Sequence, residues 1–533
     1  MQWQHSDIQP SHYADRNYNG QTKDLKGGDK MTIIYEKNKF PPAPFDVDYE
    51  NMHYYRDLYE GNHKEIFPRA QQIVEQSQQS ARTRLRNADR RQIVRKKSKA
   101  ETTLNNYVVV NFSSAIAELP ADLINRSLGN ISADEEKDKD YLDFVTMVSR
   151  VSNTKSALWA AIVQHQVDGG VAYRVRRTER KGTWFEWLPA DLYFQHDDEL
   201  GADITWTEER GNETYLRVER QRLEDVGLVV SQHVYLMKGD AVDSEIDFTD
   251  YNAEHGLNLE PIITLEGVNE LMSGYLANDE TLLQPRGRSA LRNIDGIQEE
   301  INWTITRDSI VFEKHGKPKL AIPRKLWDTV ANQNNANYGG RFVRNADLEV
   351  VSYDENNGAV PMYITWDAQT AQSFEHVTRL IDYMMAISKT AATAVGLGDA
   401  GGSLSAKAIL YEWIQSVIKA EAIQEKFDHA IKGAIRKCTI LENHFAGTDY
   451  EVKDPIIEWK GMLPKADAES DEEESKKYTD GVQSLETTIR NLHPDWSEEA
   501  IKNEIEKIQN EQMVDGMNPT FIQPPKTNIG DDE

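Results

Sequence analysis

The chain has 533 residues and a formal net charge of −27, from 61 Lys and Arg against 88 Asp and Glu. This length allows several domains, and the acidic balance argues against a general duplex-DNA binder, which needs many cations to displace counterions. A single cysteine, Cys438, excludes an intrachain disulfide framework and favours a reducing compartment, where we expect this residue to lie in a helical core stripe. No apolar run approaches 18 residues and the first residues show no signal-peptide pattern, so we expect no membrane segment.

The first part of the chain has the pattern of helices. Polar composition predicts a disordered tail over 1–45, and a helical region follows at 46–99 with breaks at Gly61 and Pro68. Residues 107–128 begin as a β-branched run and continue as a helix. A charged linker at 131–140 leads into a helix that is predicted to end at Gly169-Gly170.

A cluster of basic residues lies within this helical region. Residues 82–99 carry nine Arg and Lys against one acid, Asp89. Such a cluster can bind phosphate, but in so acidic a chain we favour a solvated face or a face that docks on an acidic neighbour. The candidate docking residues are Arg82, Arg84, Arg86, Arg90, Arg91, Arg95 and Lys96.

Alternating apolar and polar residues predict a β-rich region after the double glycine. The alternation covers 171–180, 183–197 and 202–210, and continues in "TYLRVER" and "VVSQHVYLMKGD". Period-two alternation rich in Tyr, Val, Trp and Thr is typical of antiparallel strands with one buried face.

Three long helical patterns follow, with a short-element insert between the first two. The first covers 287–315, and its apolar stripe is Leu291, Ile294, Ile297, Ile301, Ile305 and Phe312. Residues 316–366 are turn-rich and predict a compact α+β insert. The second helix, at 367–394, carries Phe374, Val377, Ile381 and Met384 at helical spacing. The third helix begins near 404 and carries Leu410, Trp413, Val417, Phe427, Ile431 and Ile435. A strand-like stretch at 454–464 and further helices to about 513 complete the pattern.

A glycine run separates the second and third helices. Gly396, Gly398 and Gly401 match G-x-G-x-x-G, the dinucleotide-binding fingerprint, which requires a preceding strand. Here the preceding segment has helical spacing, and no Lys-Ser or Lys-Thr follows as in a P-loop. The pattern therefore predicts a helix, a flexible loop and a second helix rather than a nucleotide site.

The sequence offers little support for an enzyme. His196-Asp197-Asp198-Glu199 sits at a predicted turn without a second ligand set, and Glu299-Glu300 are adjacent, so they point to different sides of a helix. There is no H-E-x-x-H or G-x-S-x-G motif. We predict no catalytic, cofactor or metal site. A carboxylate hydrolase and a structural adaptor or scaffold protein remain as alternatives.

The order of these parts resembles the tailed-phage portal protein family, and in particular its SPP1-type members. The resemblance covers about residues 46 to 512, and it departs from the family at Leu404-Ser405-Ala406, where the family often has Ser-Gly. It is carried by "YYRDLYEGNHKEIF", "VVNFSSAIAELPADLI", "DGGVAYRVRR", "GRSALRNIDGIQEEIN", "GGSLSAKAILYEW" and "PIIEWKGMLPKADAE".

The resemblance implies an α+β, mainly α portal fold with named regions. These are a wing at 46–286, stem helices at 287–315 and 367–394, a clip at 316–366, a tunnel loop at 395–403, a long wing or crown helix at 404–453, a crown with C-terminal helices at 454–513 and a disordered tail at 514–533. The implied tunnel-loop residues facing DNA are Gly396, Leu397, Gly398, Asp399, Gly401, Gly402 and Ser403.

The resemblance also implies partners and a location. Portal proteins form a twelve-fold homo-oligomeric ring at one capsid vertex, assembled in the host cytoplasm and carried in the virion. Implied partners are the major capsid protein, the terminase large subunit, head-completion or adaptor proteins and double-stranded DNA that passes without sequence specificity. Whether the particle is an infectious phage or a gene-transfer or defective particle stays open.

Overall fold

The computed structural model describes residues 33, 35, 37–72, 107–133, 139–257, 259–315, 319–324, 349–353, 362–364, 370–397, 406–463, 474–493 and 501–508. Predictions for other residues, including the basic segment at 82–99 and the tail at 514–533, lie outside the described residues. Within them, helices and strands are mixed along the chain, which confirms the predicted α+β class.

The α-helices follow the predicted order. They are α1 (Phe45–Glu60), α2 (His63–Ile66), α3 (Phe112–Ser127), α4 (Lys139–Val151), α5 (Thr154–Asp168), α6 (Phe248–His255), α7 (Asp295–His315), α8 (Thr370–Ser388), α9 (Ala406–Ala446) and α10 (Leu485–Leu492). Further helical stretches lie at 68–72, 474–479 and 501–508.

The strands pair mostly in antiparallel fashion, and they include those predicted within 171–240, in the insert and at 454–464. They are β1 (Leu128–Ser132), β2 (Gly170–Thr178), β3 (Gly182–Pro189), β4 (Tyr193–Gln195), β5 (Gly201–Arg210), β6 (Glu213–Glu224), β7 (Gly227–Lys238), β8 (Ala241–Ile246), β9 (Ile262–Glu266), β10 (Ser273–Ala277), β11 (Lys319–Pro323), β12 (Glu349–Tyr353), β13 (Met362–Ile364) and β14 (Ile456–Trp459). One sheet has the order β4-β5-β6-β7-β8, with β9 also on β7. Smaller sheets are β10-β2-β3, β1-β14 and β12-β11-β13, and within the last of these β11 and β12 are parallel.

The main core forms around the long helix α9. At 41 residues, α9 is about 60 Å long. Its inward face carries Phe427, Ile431, Ile435 and Cys438, all fully buried, and it packs against α3, β2, β3 and β10. The prediction that Cys438 is a core residue is confirmed, and burial raises the pKa of its thiol well above the usual range.

The N-terminal tail is shorter than predicted. Tyr35 is buried in a cluster with Leu216, Val218, Tyr235 and Val242, at one face of the six-stranded sheet. The Lys37 N–H donates to the Val242 carbonyl at 3.0 Å, and the Phe40 N–H donates to the Asp240 carbonyl at 2.8 Å. Because an apolar anchor and backbone hydrogen bonds hold this segment, the predicted tail boundary at residue 45 is too late.

The β-branched run at 107–111 is fixed by side chains of α7 rather than by another strand. The Val108 N–H donates to Thr306 Oγ1 at 2.9 Å, and the Val110 N–H donates to Asn302 Oδ1 at 3.0 Å. Gln298 accepts from the Phe112 N–H and donates to the Val110 carbonyl. Gln298, Asn302 and Thr306 are spaced four residues apart, so one face of α7 satisfies the extended backbone.

Three predicted helix boundaries need correction. The first long helix begins at Asp295 rather than 287, because the Arg288 N–H donates to the Asn278 carbonyl at 2.7 Å and the Ala290 N–H to the Gln166 carbonyl at 2.8 Å. The second helix ends at Ser388 rather than 394, and Lys389 has φ 54°. The helix predicted over 141–170 is two helices, separated at Asn153, where φ is 52°.

Candidate channel-lining segment

The predicted loop between the second and third long helices begins with an ordered stretch. After α8, Ala392–Val395 form a 3-10 helix, and Gly396 follows with φ 79°. Leu397 is the last described residue before α9, and its N–H donates to the Ala392 carbonyl at 2.9 Å. Of the predicted loop residues, Gly396 and Leu397 are described, while Gly398, Asp399, Gly401, Gly402 and Ser403 lie outside the described residues.

Side chains of α9 fix this stretch by hydrogen bonds. Ser416 Oγ accepts from the Ala391 N–H at 2.8 Å and donates to the Lys389 carbonyl at 3.3 Å. Trp413 Nε1 donates to Thr393 Oγ1 at 3.0 Å. The backbone before the loop is therefore held by α9, the helix that follows the loop.

A lysine caps the end of α8. Lys419 Nζ donates to the Ser388 carbonyl at 3.2 Å, where a helix C-terminus favours a cation. Burial and the nearby Lys389 lower the pKa of Lys419 to about 8. The base of the loop thus carries two lysines, one exposed and one partly buried.

Apolar packing weakens along the described stretch. Ala392, Ala394 and Val395 pack against the main core, whereas the side chain of Leu397 is 39% exposed. A Cβ on Gly396 would meet no atom within 4 Å, so glycine is needed there for its positive φ and not for lack of space. Within the described stretch, the apolar anchor therefore lies at 392–395.

The predicted helices on both sides of the glycine run are confirmed, while the loop between Leu397 and α9 lies outside the described residues. Helix α8 precedes them and α9 follows, whereas a dinucleotide-binding fingerprint needs a strand before the first glycine. Gly396 itself ends a 3-10 helix.

The acidic clusters noted in the sequence have structural partners. His196 to Leu200 form the predicted turn, with Glu199 at φ 58°. His196 Nε2 lies 3.0 Å from Asp203 Oδ1, and Arg222 pairs with Asp198 at 2.9 Å. Within the described ranges, no group of three or more His, Cys, Asp or Glu is placed to hold a metal ion.

The adjacent acids on α7 both contact Arg69, Glu299 at its main-chain N–H and Glu300 at its guanidinium. Glu299 Oε1 accepts from the Arg69 N–H at 3.2 Å, and Glu300 accepts from the Arg69 guanidinium. This pairing joins the helical stretch at 68–72 to α7, and it gives the two carboxylates a structural role.

A second apolar face of α9 was missed from sequence. The predicted stripe faces the core, but Tyr411, Ile414 and Ile418 lie on another side and are 75%, 46% and 53% exposed. Their spacing of three and four residues is the signal that could have revealed them. We call these three residues the outer stripe of α9.

The predicted basic docking residues cannot be placed beside these features. All seven, from Arg82 to Lys96, lie outside the described residues.

No helix in the described part of the chain has both the length and the apolar character of a membrane span.

Comparison with known proteins identifies the family. The family described as "Phage portal protein, SPP1 Gp6-like" matches residues 231–515, which is more than half of the chain and includes α7, α8, the glycine segment and α9. No curated protein matches the chain. The first three motifs of the resemblance lie before the matched range, so their assignment stays a prediction. The chain belongs to the SPP1 Gp6-like family of phage portal proteins, a family of structural components of the phage particle.

Proposed function

We propose that the chain forms a twelve-fold ring at one capsid vertex, which serves as the conduit for DNA during packaging and ejection. In this role the ring is also the platform on which the terminase motor and then the head-completion or tail proteins dock. The alternative is a structural adaptor or scaffold of a phage-like particle that forms no channel.

The outer stripe of α9 is the observation that carries the ring proposal. Tyr411, Ile414 and Ile418 form a contiguous apolar face that no described part of the chain covers. An isolated soluble monomer rarely leaves such a face in water, and a neighbouring subunit in a closed ring can cover it. Full burial of a large aliphatic side chain contributes about 1.5–3 kcal/mol, and because Ile414 and Ile418 are about half exposed, covering each of them contributes about half of that.

The charge of the chain suits a conduit. A ring of subunits with a net charge of −27 each presents an electrostatic barrier to phosphate, so DNA is not held along the wall. Tight phosphate contacts would act as a brake on translocation. Contact restricted to a few small loops lets the duplex slide without reading its sequence.

We assign the role of tunnel loop to residues 395–403. The anchored stretch before Gly396 fixes where the loop leaves the subunit, and the glycines beyond it are compatible with wide excursions. Leu397 is already partly exposed, and it and Asp399 are the side chains we assign to the lumen.

The remaining assignments follow from the family. Helices α7 and α8, which pack on each other, are assigned to the stem, and the insert that contains β11, β12 and β13 to the clip that meets the terminase and later the head-completion proteins. Residues 46–286 are assigned to the wing, 404–453 to a long wing or crown helix and 454–513 to the crown and C-terminal helices. The basic segment at 82–99 is assigned to docking on an acidic neighbouring subunit.

Native mass spectrometry with negative-stain imaging tests the proposal. The expected species is a ring with a central hole and a mass of about 730 kDa, for twelve copies of the 60.9 kDa chain. A closed ring of thirteen copies also supports a portal, because isolated rings can close with a different number. A compact monomer at all concentrations would contradict the ring and favour the adaptor.

A further inference from the structure

A buried histidine of α2 ends a chain of side-chain hydrogen bonds. His63 is fully buried, and its Nε2 lies 2.9 Å from the Leu58 carbonyl oxygen of α1. Its Nδ1 lies 2.7 Å from Asn302 Nδ2 of α7. Because a carbonyl oxygen only accepts hydrogen bonds, His63 Nε2 carries a proton and donates it to Leu58. The state of Nδ1 then depends on how the Asn302 amide is oriented.

The extended backbone before α3 fixes that orientation. Gln298 Oε1 accepts from the Phe112 N–H at 3.1 Å, and Gln298 Nε2 donates to the Val110 carbonyl at 2.6 Å. Since a backbone N–H only donates and a carbonyl only accepts, the Gln298 amide has one allowed orientation. Asn302 Oδ1 accepts from the Val110 N–H at 3.0 Å and from Gln298 Nε2 at 3.1 Å. Asn302 therefore presents its NH2 group to His63, whose Nδ1 must accept.

This chain of hydrogen bonds is compatible only with a neutral imidazole. A proton on His63 Nδ1 would face the NH2 group of Asn302, and two donors do not pair. If the Asn302 amide turned over, its NH2 group would face two other donors, the Val110 N–H and Gln298 Nε2. The side chains of His63, Gln298 and Asn302 are all fully buried, so every broken pair leaves an unsatisfied polar group.

Ionisable side chains adjoin the chain of hydrogen bonds on the surrounding elements, but within the described ranges none of them hydrogen-bonds to His63. Arg69 is paired with Glu300, and burial raises the pKa of Tyr107 to about 12, so neither Arg69 nor Tyr107 changes charge between about pH 5 and pH 7.5. The neighbours are Glu60 of α1, Lys64 and Glu65 of α2, Arg69, Tyr107, Glu118 of α3, and Glu299 and Glu300 of α7.

We propose that His63 acts as an acid-operated latch, whose protonation releases the extended segment 108–112 from α7. With neutral His63, the amides of Asn302 and Gln298 are held in the orientations that satisfy the backbone of the segment. With protonated His63, the chain loses its terminal acceptor and the segment opens. The latch lies within one subunit, so it goes beyond the conduit role and does not depend on the ring. Opening would uncouple α7, which we assign to the stem, from the segment that leads into α3.

The direction of the pH effect follows from proton linkage. Burial lowers the pKa of His63 in the closed state, whereas in the open state the imidazole meets water and has its ordinary pKa of about 6.5. The open state therefore binds more protons, and opening becomes more frequent as the pH falls below about 6.5. At pH 5, about 1.5 units lower, a single proton makes opening up to about 30-fold more frequent.

Hydrogen exchange of the full chain at about pH 7.5 and pH 5 tests the latch. After correction for the intrinsic pH dependence of exchange, protection of the Val110 and Phe112 amides should fall by up to about 30-fold at pH 5. Val108 should respond less, because its acceptor is the hydroxyl of Thr306, which is not part of the chain. Amides of β6 serve as the internal reference and should keep their protection. Either an equal fall in β6 or no fall at Val110 and Phe112 would overturn the proposal.

Two variants identify the titrating group. His63→Asn removes the imidazole and keeps an oxygen that can accept from the Asn302 amide. It should abolish the pH dependence of Val110 protection, whatever its overall stability, and a dependence that persists would assign the effect to another group and refute the latch. Glu299→Gln keeps an acceptor for the Arg69 N–H and should retain the full dependence. Loss of the dependence in this control would make Glu299 the responsible group.

Asn302→Asp should reverse the sign of the pH effect. It places a carboxylate oxygen opposite His63 Nδ1, while the other oxygen still accepts from the Val110 N–H and Gln298 Nε2. Protonated His63 then gains a partner, which moves its pKa in the closed state above about 6.5, so protection of Val110 should rise as the pH falls. A fall of the same size as in the native chain would contradict the latch. If a variant does not fold, the comparison of the two regions in the native chain still decides.

Discussion

Ser416→Ala tests whether α9 fixes the entrance of the loop. In the native chain the Ser416 hydroxyl accepts from the Ala391 N–H at 2.8 Å and donates to the Lys389 carbonyl at 3.3 Å. Without the hydroxyl, the Ala391 N–H loses its partner in a partly buried position. An unsatisfied buried donor costs about 1–3 kcal/mol, and partial burial places this one at about 1–2 kcal/mol.

The expected effect is a local one. A loss of 1–2 kcal/mol makes opening of the segment about 5- to 30-fold more frequent, since 1.36 kcal/mol corresponds to a factor of ten. Hydrogen exchange of the Ala391 amide, followed by mass spectrometry with fragmentation, should accelerate by that factor. The far-ultraviolet spectrum and the mass of the assembly should stay the same.

A matched serine provides the control. Ser373 on α8 donates to Asp308 on α7, outside the loop segment. Ser373→Ala should leave Ala391 exchange unchanged. If Ser416→Ala also leaves it unchanged, the segment is held by its apolar packing or by Trp413, and the anchoring role of Ser416 is wrong.

Three further predictions concern the same segment and α9. Gly396→Ala should accelerate exchange of the Leu397 amide about 5- to 30-fold, because alanine at φ 79° costs about 1–2 kcal/mol. The control Gly296→Ala, in α7 with open space around it, should leave exchange of the Leu397 amide unchanged. Replacing Gly398 and Gly401 by proline should leave ring mass unchanged and reduce DNA packaging in a particle assay, and undiminished packaging would count against a moving loop. Burial lowers the pKa of Lys437 to about 8. From about pH 8 to 10 the unfolded chain therefore holds this proton while the folded chain releases it. The free energy of unfolding should rise over that range because the unfolded state binds more protons. Lys419, whose pKa is also lowered to about 8, contributes to the same rise, so Lys437→Met should reduce the rise in denaturant titrations while Lys432→Met, on the outer side of the same helix, keeps it in full. An undiminished rise in Lys437→Met would contradict the assignment.

Residue spacing predicted the long elements well because burial and conformation agree there. Phe427, Ile431 and Ile435 recur at helical spacing and lie on the inward face of α9. Alternation likewise located β2, β3, β5, β6 and β7, although each of these strands contains consecutive buried residues, such as 201–205 in β5. Parts of these strands are therefore covered on both faces, and the prediction of one buried face is wrong there.

The same reasoning placed the start of the first long helix too early for a physical reason. Leu291 and Ile294 are fully buried, as the stripe predicted, but they lie in turns before Asp295. Apolar periodicity reports which side chains are buried, and turns can bury side chains at the same spacing. The N–H groups of Arg288 and Ala290 donate to the carbonyls of Asn278 and Gln166, which lie outside the helical repeat. A local spacing pattern therefore does not reveal these hydrogen bonds.

The buried polar face of α7 was missed because amides and hydroxyls at helical spacing usually indicate a solvent-exposed helix face. Gln298, Asn302 and Thr306 are fully buried, and their partners lie in the segment 108–112, almost two hundred residues away. This separation has a consequence for assembly of the subunit. The extended segment obtains its hydrogen bonds only after α7 has formed, so the packing of the first part of the chain depends on the helix that we assign to the stem.

Through α7 and α9, the residues assigned to the wing are connected to those assigned to the loop. Helix α7 holds the segment before α3, α3 packs on α9, and α9 holds the entrance of the loop. Residues that we assign to the wing and to the loop are therefore attached to the same two helices. A shift of α7 or α9 against a neighbouring subunit would be transmitted to the loop base by direct contacts. The described segment up to Leu397 is thus firmly attached to α9, and we assign the movement that the conduit proposal requires to the glycines that follow it in the sequence.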